Sequence, residues 1–175
     1  SIFNISDGKA TIIDASIYGL ALTGAQNSAI RNRENLTLTS MILTNNTSTA
    51  GGALWMDSSI NNQILSLNII GTSFVDNTST GSGGGAIYFQ GYRDRVAIRN
   101  SQFLGNNAES TNRSRGGAIS IQGLENQVEI VDTQIKNNSA TEGGGVHVVR
   151  SGNVRIVDCD ISQNTAWAQG GGINA

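Results

Sequence analysis

One eight-residue block recurs along the chain without internal gaps, and no other feature of the sequence restricts the fold so tightly. Its copies are Ala10–Ile17 (ATIIDASI), Leu36–Leu43 (LTLTSMIL), Leu67–Phe74 (LNIIGTSF), Val96–Phe103 (VAIRNSQF), Val128–Ile135 (VEIVDTQI) and Val154–Ile161 (VRIVDCDI). Positions one, three and eight are almost always aliphatic or Phe, and this alternation predicts a half-buried strand. Position five holds Asp14, Ser40, Gly71, Asn100, Asp132 or Asp158, which are turn formers, and position six is small in five of the six copies. Each block therefore reads as strand, bend and second short strand.

Two further signals sit at set places relative to the block. Three residues past its end, five copies place an asparagine, Asn46, Asn77, Asn106, Asn138 and Asn164, where the first copy has Leu20. A Gly-Gly-[Ala/Gly]-aliphatic-x-apolar motif follows at Gly51-Gly52, Gly84-Gly85, Gly116-Gly117, Gly143-Gly144 and Gly170-Gly171, and its alternation predicts a third strand. Block starts at 10, 36, 67, 96, 128 and 154 give periods of 26, 31, 29, 32 and 26 residues. Periods in this range indicate a solenoid.

No strand of this length buries its apolar face alone. Stacking each one on its copy in the next coil, at about 4.8 Å, pairs both edges and encloses one core. The expectation is an all-β, right-handed, three-sided parallel β-helix of about six coils, a single domain over residues 1–175 about 29 Å long.

Composition agrees with stacking. The recurrent asparagines predict a ladder, each amide bonding the next and the turn backbone. The glycine pairs predict a corner where a Cβ would clash or φ is positive. The 175 residues include 22 Gly and no Pro, and Pro would delete a ladder hydrogen bond in any interior coil. Lack of Pro also excludes collagen. A net charge of -2 gives no footprint for nucleic acid, and no apolar run is long enough to cross a bilayer as a helix.

Phe74-Val75-Asp76-Asn77 with Gly84-Gly85-Ala86-Ile87, and Phe103-Leu104-Gly105-Asn106 with Gly116-Gly117-Ala118-Ile119, carry a Phe-x-x-Asn and Gly-Gly-Ala-Ile pattern. The pattern resembles the repeats of the chlamydial polymorphic outer-membrane proteins and related adhesin-like β-helix proteins. Other copies hold it loosely, with Leu43, Ile135 or Ile161 in place of Phe and Gly145 or Gly172 in place of Ala. The resemblance implies a secreted, surface-displayed β-helix, the passenger of an autotransporter, with adhesion or structural display as its role. No segment resembles that family's C-terminal membrane barrel.

Several residues invite a chemical reading. Asp132 and Asp158 share a block position in neighbouring coils, a spacing that suits a paired-carboxylate glycosidase and equally a row of bends. With Asp160 they would offer oxygen ligands to Ca²⁺, although Asp160 belongs to the outward side of its strand. Trp55 and Tyr88 occupy one outward column, as a sugar-binding platform or a cross-strand pair. His147, the single histidine, falls in that column as a surface residue, without partners for a metal site or nucleophile triad. Cys159 takes the small inward sixth position, with Thr133 and Ala15 as its counterparts. Arg93, Arg95, Arg99, Arg113 and Arg115, with Asp94 among them, read as a solvated basic edge. Of the sequons at Asn4, Asn35, Asn45, Asn46, Asn77, Asn112 and Asn137, the best glycan acceptor is Asn112.

No catalytic set, metal or cofactor is expected. The leading function is a non-catalytic extracellular or cell-surface β-helix with a structural or adhesive role. The alternative is a polysaccharide-binding or polysaccharide-cleaving β-helix. Neither terminus reads as a solenoid cap, so the expected partners are a longer parent chain or other copies stacked end to end, besides a glycan or cell surface.

Overall fold

A computed structural model describes residues 1–6, 12–58, 64–81, 83–110 and 113–175. Among them every regular element is a strand, every pairing is parallel, and no helix is long and apolar enough to cross a membrane. The strands form four sheets wound around one core.

Sheet I holds six five-residue strands: Asp14–Tyr18, Asn35–Thr39, Ser66–Ile70, Arg95–Arg99, Gln127–Val131 and Asn153–Val157. Six stacked strands mark five full turns of the solenoid. Sheet II follows across a two-residue bend, with Ala21–Thr23, Ile42–Thr44, Ser73–Val75, Gln102–Leu104, Gln134–Lys136 and Asp160–Ser162. Sheet III comes after the asparagines: Thr47–Ser48, Thr78–Ser79, Asn107–Ala108, Ser139–Glu142 and Thr165–Gln169. Sheet IV carries the strands that enter from the glycine corner, among them Ile30–Asn32, Leu54–Asp57, Ile87–Gln90, Ile119–Gln122 and Val146–Val149.

Sheet III corrects the expectation of three strands per coil. Its strands are mostly two residues long, too short to show alternation in a sequence. The first repeat is also corrected. Ala15 pairs with Leu36 and Ile17 with Leu38, so the first aligned block is Ala15–Leu22, five residues later than the alternation suggested. Gly19 (φ +66°), and not Asp14, then occupies the bend position, and Ala25, not Leu20, stands where later coils have asparagine.

The bend position is left-handed in every coil: Gly19, Ser40, Gly71, Asn100, Asp132 and Asp158 all have φ between +48° and +66°. Gly, Asn and Asp tolerate this region best, which explains the residue choice. A second left-handed row, Gly24, Asn45, Asp76, Gly105, Asn137 and Gln163, precedes the asparagine corner.

At that corner the asparagines form a continuous chain. Nδ2 of Asn46 donates to Oδ1 of Asn77 at 2.9 Å, Asn77 to Asn106 at 2.9 Å, Asn106 to Asn138 at 3.0 Å and Asn138 to Asn164 at 2.9 Å. Each Nδ2 also donates to a carbonyl one coil back (Leu22, Leu43, Phe74, Phe103 and Ile135), and each Oδ1 accepts a backbone N–H from the coil before, that of Ala25 at Asn46 and that of the preceding asparagine at the other four. Buried amides are thus satisfied along the axis. Inside, Phe74 and Phe103 stack with centroids 4.7 Å apart and planes within 4°. Such a pair adds about 1 kcal/mol beyond its buried area.

The glycine corner is a close backbone approach. A Cβ on Gly85 would lie 2.1 Å from the carbonyl oxygen of Gly117, while Gly116 needs φ +67°. Ser28 and Ala29 take the place of this corner's Gly-Ala one coil before Gly52-Ala53, since Ile30 pairs with Leu54.

Where sheet IV turns into sheet I, Asp94 leaves the expected solvated edge, whose Arg93, Arg95 and Arg113 stay exposed, for a buried polar corner. Asp94 is 0% exposed. Its Oδ1 accepts the N–H of Leu65 (2.6 Å), its Oδ2 accepts the N–H of Tyr92 (3.0 Å) and the Ser58 hydroxyl, and its own N–H donates to Asn126 Oδ1. Burial pushes the Asp94 carboxyl above the ordinary carboxylate range, against the opposing pull of those donors.

Candidate functional site

The outward column of sheet IV runs Arg31, Trp55, Tyr88, Ser120, His147, Asn174 in register. Stacking therefore brings Trp55 and Tyr88 one coil apart. They are half-buried and covered. The Arg31 guanidinium lies 4.2 Å from the Trp55 ring centroid, and Trp55 Nε1 is buried without a hydrogen-bond partner. Gly83 lies so close to the Tyr88 ring that a Cβ there would come within 2.5 Å of Cδ2. The Tyr88 hydroxyl donates toward Gln90 and Gln122, and burial raises its pKa.

His147 is 3% exposed, which corrects its reading as a surface residue. The cause lies outside its own strand: Glu142 sits 3.6 Å from His147 Nε2 and is paired with Arg115 at 3.4 Å and Arg113 at 3.8 Å. Burial, then Arg115, lowers the imidazole pKa, and Glu142 opposes them. Ser120, Glu142 and His147 are the residue types of an acyl-transfer triad. Ser120 is fully buried, however, and neither its Oγ nor His147 Nδ1 has a partner. A nucleophile needs both a base within hydrogen-bond reach and access to substrate.

Asp132 and Asp158 are exposed at their left-handed bends and line none of the described grooves. Asp160 turns instead to Lys136 and Ser162, whose hydrogen bonds hold its carboxyl below the ordinary range. Among the described residues no three His, Cys, Asp or Glu side chains gather as metal ligands. Cys159 is half-buried, its Sγ 3.2 Å from the Val157 carbonyl and 3.5 Å from that of Ile130. Its counterparts in earlier coils are Thr72, Ser101 and Thr133, whose hydroxyls bond the carbonyl two residues back.

Among the sequons, Asn46 and Asn77 are consumed by the ladder, and Asn35 bonds Asp14 and the Ser66 N–H. Asn112 lies outside the described residues.

Residues 71–90 match the Chlamydia polymorphic membrane protein repeat. That stretch spans the bend at Gly71, the buried Phe74, the ladder residue Asn77 and the Gly84-Gly85 corner, so the repeat pattern coincides with the residues that lock one coil to the next. No curated protein and no solved structure matches the chain.

The arginines separate by location. Arg93 pairs with Glu125 at 2.7 Å over the Tyr92 ring. Arg95 and Arg99, with Arg155, stand on the outer face of sheet I around a groove of about 480 Å³. The sequence reading missed Arg155, Ala97 and Glu129 as members of this group. The outward block positions 97, 129 and 155 carried the signal.

Proposed function

We propose that the protein is a non-catalytic β-helix displayed at a cell surface, where it serves as a structural and adhesive element. The observation that carries this reading is where the chemically capable side chains go. The asparagines are spent on the ladder, Asp132 and Asp158 on bends, His147 is closed off against Glu142, and Ser120 is fully buried. What faces solvent is a ruled array of side chains on a stiff stack, which suits contact with an extended partner better than turnover of a small one. The polymorphic membrane protein repeat at residues 71–90 supports surface display.

Two measurements test the reading. Antibodies raised against the purified chain should label intact source cells without permeabilisation, and beads coated with it should bind a target surface more than albumin-coated beads. Labelling only after permeabilisation, or release of new reducing ends from a polysaccharide panel, would overturn it.

A further inference from the structure

We infer that the outer face of sheet I binds an anionic glycan, a saccharide chain bearing sulfate or carboxylate groups. This rests on the adhesive reading and gives it a ligand class.

Strand register lays out the face. One column runs Ser66, Arg95, Gln127, Asn153, and beside it runs Asn68, Ala97, Glu129, Arg155. Ala97 is the smallest member, and its short side chain makes the floor of the 480 Å³ groove. Arg95 and Arg99 flank it two residues to either side on the same strand. Glu129 accepts from Arg99 and, at 2.8 Å, from Arg155, which holds two guanidiniums at the groove wall. Arg95 is exposed and forms no ion pair among the described residues.

Charge selects an anion. Three arginines against one glutamate leave a local charge of +2 on a chain whose net charge is -2. Guanidinium groups recognise carboxylate and sulfate-like oxygens through paired N–H donors. Backbone pairing disfavours a peptide, because strands Ser66–Ile70, Arg95–Arg99 and Gln127–Val131 are each bonded on both sides and offer no edge for strand addition. The groove lining also holds no aromatic side chain of the kind that anchors a protein interface. Ser66, Asn68, Gln127 and Asn153 add a hydroxyl and three amides to the lining, partners for a hydroxyl-rich chain.

The test is calorimetric titration with four probes: a sulfated heparin-type hexasaccharide, a hyaluronan hexasaccharide with carboxylates only, neutral maltohexaose, and polyglutamate. We expect one or both charged saccharides to bind, with affinity falling as salt rises. The responding saccharide identifies the anion. Arg95→Gln should weaken binding about tenfold. Ala97→Phe, which fills the floor without changing charge, should abolish it, and Arg93→Gln should leave it intact. Thermal melts of each variant establish that it is folded. Equal binding of maltohexaose, tighter binding of polyglutamate, unchanged affinity in both Arg95→Gln and Ala97→Phe, or no binding of either charged saccharide would overturn the proposal. Beads that still adhere to cells in that event would leave the adhesive reading standing without this ligand.

Discussion

Replacing Asn106 by Ala removes the centre of the ladder. In the wild-type protein its Oδ1 accepts the N–H of Asn77 at 3.0 Å and Nδ2 of Asn77 at 2.9 Å, and its own Nδ2 donates to the Phe74 carbonyl and to Asn138 Oδ1. Asn138 Oδ1 keeps the backbone N–H of residue 106, and Asn77 Nδ2 keeps the Leu43 carbonyl. The net loss is one buried backbone donor and one buried amide proton with no acceptor. At about 1–3 kcal/mol each, with a small cavity added, the cost is about 4 kcal/mol. For a chain of this size that lowers Tm by about 8–16 °C in a calorimetric scan. Asn164→Ala strips the corresponding two donors of Asn138, but the half-buried side chain it removes opens that rung to solvent, so it should cost less. A fall under about 2 °C for Asn106→Ala, or an equal fall for both variants, would refute the claim that the ladder is a dry, fully satisfied network.

Other outcomes follow from the same geometry. Gly85→Ala should prevent native stacking, because its Cβ meets the Gly117 carbonyl at 2.1 Å, whereas Gly19→Ala, with open space around it, should cost only about 1–2 kcal/mol of left-handed strain; urea midpoints distinguish the two. Asp132→Gly should be neutral or slightly stabilising and Asp132→Val destabilising by about 1–2 kcal/mol, since φ there is +48°. The lowered pKa of His147 means that the unfolded chain binds its proton first, so stability should drop as pH falls below 6.5, and His147→Gln should flatten that slope in denaturant titrations. Asp94 has the opposite sign: its raised pKa makes the folded state the better proton binder, so stability should drop as pH rises from 3.8 through the folded value, and Asp94→Asn should remove the drop.

The sequence was most informative where one residue does one job in every coil. Leu67, Ile69 and Phe74, with Asn77 three residues on, are readable because alternation, bend and ladder repeat at fixed spacing. It misled where a coil departs from the pattern: Asp14 imitated a bend residue and shifted the first block by five positions, although Gly19 and Leu22 carried the proper spacing. Burial imposed from another strand or coil was not legible. Glu142 precedes His147 in the same coil but on a different sheet, so no alternation links the two, while Arg115 and, for Asp94, the N–H of Leu65 come from the coil before. The sheet I groove likewise exists only in register, where Ala97 falls between Asn68 and Glu129.

Hydrogen exchange resolved to single amides tests the stacked-ladder account most directly. The N–H groups of Asn46, Asn77, Asn106 and Asn138 each donate to an asparagine side chain of the next coil and are buried. They should exchange only through cooperative opening, with protection of about 10⁴ or more. Exchange of these four amides at the rate of free peptide would contradict the in-register stacking on which both the fold and the binding face depend.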